Sequence, residues 1–282
     1  MSDHAYPVTF PADGPVDVSV RQHSGETIVT ALDTTEVSVD LRASGPDADQ
    51  IIDATTVDFR AGALHIEVPK TPSSGLQRAS VDISVTVPRA SALDLQSGSG
   101  KLVMDGEFAA VTAKSGSGDI SVDSCTDAEL KAGSGSVVVR TAQSVTASTG
   151  SGDITVDVAG GRAELSTGSG DVELTGAVGS GSATTGSGDV TVSVLDGSFE
   201  VKAVSGDVTI RRAVAGELRV KTVSGDVEVG IAAGTAAHLD VSSVSGRVRS
   251  GLDEADGPGD SDHKLMLSAR AVSGHITLER RP

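Results

Sequence analysis

Six aspartates occupy the same place in a recurring pattern, each directly after a glycine: Asp119, Asp153, Asp171, Asp189, Asp207 and Asp226. They are the residues here with the most chemistry to offer, because regularly placed carboxylate oxygens are the ligands that Ca²⁺ prefers. Stacked about 4.8 Å apart, as adjacent strands require, neighbouring carboxylates repel by about 0.9 kcal/mol in water and more in a lower dielectric. Something must offset that repulsion. One answer is a column of bound cations. The other is solvation plus hydrogen bonds from corner N–H groups to each carboxylate. Ca²⁺-binding repeat proteins place Asp two positions after Gly, in a much shorter repeat. Here Asp follows Gly directly, and Lys101, Ser136, Arg247 and His275 replace it in other copies. The hydrogen-bonded column is therefore the expected state, with the aspartates kept as the one candidate cation column.

The remaining reactive residues do not assemble into a site. Gly-Ser-Gly-Asp looks like a phosphate-cradling loop, but such loops need a following helix and usually a Lys. Thr155, Thr191, Thr209 and Thr277 share an outward position that Glu173, Glu228 and Arg249 interrupt, so they read as ordinary strand residues. His4, His23, His65, His238, His263 and His275 are scattered, with no pair at a metal-binding helical spacing. Cys125 is the only cysteine and is placed between strands, so neither an intramolecular disulfide nor a cysteine metal cluster can form. No nucleophile, base and orienting group fall together. No catalytic residue and no cofactor are expected, and the chain reads as a non-enzyme.

The elements that carry the aspartates follow from the repeat S-G-S-G-D-[IV]-x-[VL]. Its second glycine falls at Gly100, Gly118, Gly135, Gly152, Gly170, Gly188, Gly206, Gly225, Gly246 and Gly274, in steps of 18, 17, 17, 18, 18, 18, 19, 21 and 28 residues. Two residues later stands an apolar column from Leu102 and Ile120 to Val248 and Ile276. Four residues later stands a second column, from Met104 to Leu278, which Ser250 breaks. Apolar residues at every other position mark half-buried strands. A second alternating strand precedes each glycine, as in Phe199/Val201 and Leu218/Val220. Each rung therefore holds two short strands joined by glycine corners, and rungs must stack to bury their apolar sides. The fold class is all-β: a single-stranded parallel β-solenoid with rungs of about 18 residues. Two residues before the corner glycine, Gly186 and its earlier counterparts give way to Val204, Val223, Val244 and Val272, which predicts a cross-section that changes shape.

Residues 91–282 form the solenoid, with an acidic loop insert at 252–263 that also reads as a docking loop. Residues 1–90 read as an irregular all-β cap over the first rung, with strand-like runs Val16–Val20, Thr27–Leu32, Glu36–Leu41, Thr56–Phe59, Leu64–Val68 and Val81–Val87. Pro69, Pro72 and Pro88 punctuate them. At the far end, the charged run Leu278–Pro282 is expected to blunt the last edge. The net charge of −17 disfavours nucleic acid and anionic lipid as partners. No run is apolar and long enough for a transmembrane helix, and the first ten residues lack a signal-peptide core, so a cytoplasmic location is expected.

The run VDVSVRQHSGETIVTALDTTEVSVDL at Val16–Leu41, then VDFRAGALHIEVPK, VDISVTVPRASALDLQSGSG and the GSGDITV-type rungs, resembles a bacterial β-strand-repeat family. It is the toast-rack family, also called "putative adhesin". The resemblance covers nearly the whole chain. It implies a β-solenoid without known catalytic residues and, from some relatives, a link to envelope-stress signalling. The expected role is a scaffold or protein-interaction module with a protein partner. The alternative is end-to-end self-association into a filament or adhesin-like structure.

Overall fold

The computed structural model describes residues 4–45, 47–69, 80–252 and 263–282. The chain forms two compact units, residues 1–139 and 140–282. Pro72 and Asp253–Asp262, the body of the acidic insert, lie outside the described residues.

In the first unit the strands are β1 (His4–Pro11), β2 (Asp17–Gln22), β3 (Thr27–Leu32), β4 (Glu36–Ser44), β5 (Thr56–Arg60), β6 (Ala63–Glu67), β7 (Ser80–Pro88), β8 (Ala92–Ser97), β9 (Leu102–Ser115) and β10 (Ile120–Ala132). The next strand, β11 (Val137–Thr149), straddles the boundary. Strands β2 and β3 lie parallel on β8 and β9, pairing Asp17 with Ala92 and Thr27 with Leu102, so the N-terminal part does cover the first rung. On their other side, β2 pairs with β6 and β3 with β7, again in parallel. The stack then changes sense: β4 runs antiparallel to β7, β1 to β4, and β5 to β6. Antiparallel neighbours do not repeat the rung, and they close this end of the unit.

Alternation sets each strand's buried face. Val37, Val39, Leu41 and Ala43 of β4 are at most 1 % exposed, while the residues between them face outward. One element departs from the all-β expectation. Residues Ala48–Ala54 form a helix, α1, with Ala48, Ile51 and Ile52 buried against β4, β1 and β7. Those three residues sit at helical spacing, but over seven residues the pattern is too short to stand out in the sequence.

The second unit is built from β12 (Ile154–Thr167), β13 (Val172–Ser187), β14 (Val190–Ser205), β15 (Val208–Ser224), β16 (Val227–Ala232), β17 (Thr235–Ser245), β18 (Val248–Ser250), β19 (His263–Ser273) and β20 (Ile276–Arg281). Strands β12 to β15 stack in parallel and in sequence order, with offsets of 18 residues at Ile154↔Val172, Val172↔Val190 and Val190↔Val208. Each long strand crosses two faces of its rung. Register shifts such as that between Leu174 and Ala177 mark the bend, so one of the two corners is a bulge and not a glycine turn.

Beyond β15 the spatial order departs from the sequence order. β19 pairs with β15 on one side and β17 on the other; β20 lies between β16 and β18 in the same way. The last rung in sequence is therefore interior, and the rung of β17 and β18 lies outermost. Leu278 pairs with Ser250 and so lies at no open edge, whereas Glu279–Arg281 pair with β16 alone among the described residues, and Arg280–Pro282 are exposed. Leu278 is 1 % exposed, and the Arg280 guanidinium clasps the neighbouring turn, donating to the carbonyls of Ala232 (3.1 Å) and Thr235 (2.8 Å). His263, expected inside the acidic insert, opens β19.

Candidate functional site

The glycine corners stand in register. In the first unit Gly118 stacks on Gly100 and Gly135 on Gly118; in the second the column runs Gly152, Gly170, Gly188, Gly206, Gly225, Gly274, Gly246. A Cβ at Gly225, whose φ is +150°, would run into the carbonyl oxygen of Gly206, so the stack tolerates only glycine there.

The aspartates that follow these glycines form a hydrogen-bonded ladder. Each backbone N–H donates to the carboxylate of the rung before: Asp171 to Asp153 (2.9 Å), Asp189 to Asp171 (2.8 Å), Asp207 to Asp189 (2.8 Å) and Asp226 to Asp207 (2.7 Å). In the first unit the Ser136 N–H donates to Asp119 at 2.9 Å. The ladder continues where Asp is absent, since the His275 N–H donates to Asp226 (2.7 Å) and the Arg247 N–H to His275 Nδ1 (3.0 Å). A charge-assisted bond at each step offsets the repulsion between like neighbours. Among the described residues, no group of three or more His, Cys, Asp or Glu is placed to hold a metal ion.

The corner changes along the second unit, one rung before the sequence switches from Gly186 to Val204. In early rungs a Ser or Thr closes the turn: Gly152 N–H donates to Thr149 Oγ1, and the Thr167 hydroxyl donates to the Gly152 carbonyl. From Gly188 onward the corner is extended, and the glycine N–H reaches the next rung instead, as from Gly206 to Ser224 and Gly225 to Ser273 (both 3.0 Å). The extended corner turns Ala203 inward and Val204 outward. The valines Val204, Val223, Val272 and Val244 are 55 %, 48 %, 50 % and 84 % exposed. Beside them runs a groove of about 560 Å³, lined by Lys202, Lys221 and Arg270 and floored by Ala203, Thr222 and Ala271. Lys202, with Lys221 behind it, holds the Glu200 carboxyl below the usual range. Sequence reasoning registered the valines but not their exposure, because an apolar residue beside a corner can face either way.

The outermost rung is the other unusual surface. Among the described residues, β17 pairs with β19 alone and β18 with β20 alone. Leu239 is 37 % exposed and Val248 46 %, whereas their inner counterparts Leu267 and Ile276 are 2 % and 0 %.

Cys125 offers no reactive centre. It lies within β10 rather than between strands, buried opposite Phe108, and burial, aided by Asp127, pushes its thiol up to about 11. Among the described residues, no helix is long and apolar enough to cross a membrane.

Solved structures share the architecture at very low identity. One is a "putative adhesin" from Parabacteroides merdae, 9 % identical, with a TM-score of 0.53 over 99 % of this chain and 96 % of that one. Another is a "putative lipid binding protein" from Parabacteroides distasonis, 11 % identical, with a TM-score of 0.50 over 99 % and 97 % of the two chains. At such identity the likeness establishes the fold alone. No curated protein matches the sequence. The Toastrack DUF4097 family profile matches residues 105–281, which takes in the rungs, the aspartate ladder and the valine corners, and the chain belongs to that family.

Proposed function

We propose that the chain is a non-enzymatic interaction module that receives a strand of a partner protein on the open edge of β17 and β18. The observation that carries this reading is the exposure of Leu239 and Val248 at positions that are buried in the rungs beneath. An unpaired strand edge offers main-chain donors and acceptors, and the alternate side chains of an added strand would complete the core columns. Membership of an adhesin-like structural family agrees with a role without catalysis. In the envelope-stress setting that some relatives suggest, the partner is a signalling protein.

The test is a photo-crosslinking residue placed at Leu239 or at Val248 in cells, with Leu32, exposed in the first unit, as the control site. The expected result is a discrete adduct from the edge sites, lost when the other edge position becomes Lys. Equal labelling from the control site, or no edge adduct, overturns the reading. The same edge supports a second reading, end-to-end self-assembly. In that case light-scattering mass grows past that of a dimer with concentration in the wild type and does not in L239K/V248K.

A further inference from the structure

The exposed valines form one continuous column. The register Ala203↔Thr222, Thr222↔Ala271 and Ala271↔Ser243 places Val204, Val223, Val272 and Val244 on consecutive rungs. On one flank Lys202, Lys221 and Arg270 stand in the same register. On the other, across the glycine corner, Asp207 and Asp226 belong to the ladder. The surface therefore reads cation, valine, anion across the corner on the Val204 and Val223 rungs, while His275 and Arg247 take the place of the anion on the Val272 and Val244 rungs. The cations are held by surface ion pairs only: Lys202 and Lys221 share the half-buried Glu200, and Arg270 meets the exposed Asp240. The groove floor is also unfinished. Thr222 is buried with no hydrogen-bond partner for its hydroxyl, whereas Thr167 and Thr185 at the same place in earlier rungs donate to glycine carbonyls.

We propose that a second copy of this chain packs side by side on this stripe, related by a two-fold axis parallel to the stacking direction of the rungs. Periodicity selects the occupant. Valines on consecutive rungs recur about every 4.8 Å, whereas one face of an extended peptide recurs about every 6.8 Å and a helix about every 5.4 Å. Only another stack of rungs meets every valine in step. Charge selects the orientation. A two-fold axis along the stack lays Lys202 and Lys221 of each copy over Asp207 and Asp226 of the other, twice over. A two-fold axis across the stack would keep only the Asp207 and Arg247 pairing and would set Lys221 on Arg270. A patch four rungs long is small for an interface, so the dimer is weak and reversible, with a dissociation constant in the micromolar range or above.

The experiment is sedimentation velocity on the full chain over a concentration series, with variants confirmed folded by circular dichroism. A monomer–dimer equilibrium is expected, lost in Val223→Asp and weakened at least tenfold in Lys221→Glu. The edge variant L239K/V248K should leave it intact, which separates this interface from the strand-docking edge. The single variants Val204→Cys, Val223→Cys and Val272→Cys should each form disulfide-linked dimers under mild oxidation, because a two-fold axis along the stack brings each position against itself. A monomer at every concentration overturns the proposal, as do assemblies larger than a dimer in L239K/V248K. Stronger association of Lys221→Glu, or cross-linking at only one of the three cysteine positions, overturns the orientation on which it rests.

Discussion

The aspartate ladder turns a row of like charges into a row of fasteners. Asp189 shows how: its carboxylate accepts from the Asp207 N–H while its own N–H donates to Asp171. The acceptor oxygen matters more than the charge, since each charge also faces like neighbours. Asp189→Ala is therefore expected to lower stability by about 1 kcal/mol, and Asp189→Asn to stay within about 0.5 kcal/mol of the wild type. Urea unfolding of the two variants checks this, and an Asn variant as damaged as the Ala variant would show that charge, not acceptance, holds the corner. At this scale the sequence was largely legible. It posed the repulsion and offered corner N–H groups as an answer, and those are the groups that meet the carboxylates. That His275 Nδ1 continues the ladder was hidden, because nothing in a lone histidine marks it as a stand-in for Asp.

The elements themselves could be read from period-two alternation: the six runs singled out between Val16 and Val87 correspond to β2 through β7. Rung order could not. Leu218, Leu267 and Leu239 occupy one column, and a repeated apolar pattern does not say which rung stacks on which. Both units use that freedom in the same way. The β2–β3 rung sits between β6–β7 and β8–β9, and the β19–β20 rung sits between β15–β16 and β17–β18. Distance from the C-terminus therefore misleads about stability. In native-state hydrogen exchange, amides of β19 and β20 are expected to be protected about tenfold or more beyond those of β17 and β18. Equal protection, or the reverse, would contradict the interior placement of the last rung.

For the whole molecule, a net charge of −17 opposes compaction, and the ladder concentrates part of that charge along one corner. Added monovalent salt screens this repulsion, so the melting temperature is expected to rise with ionic strength. A fall in a melting series from low to physiological salt would mean that the exposed ion pairs outweigh the self-repulsion. The two proposed association surfaces would also combine. A two-fold axis along the stack brings the β17–β18 edges of both copies to the same end, where a partner with two strands would gain from proximity without any new contact. The interior position of β19–β20 has a further consequence, for synthesis. In the second unit, a chain emerging from the ribosome can stack its rungs in order only as far as β16. When β17 and β18 appear, the strands that belong beneath them are still unmade, and the exposed face of β15 and β16 accepts any rung with matching columns. Completion then requires either that β17 and β18 wait undocked or that a provisional stack opens to admit the final twenty residues, 263–282. A chain that stops near Gly251 lacks the strands that belong between β15–β16 and β17–β18, so the native order of rungs can be built only once the last stretch of the sequence has been made.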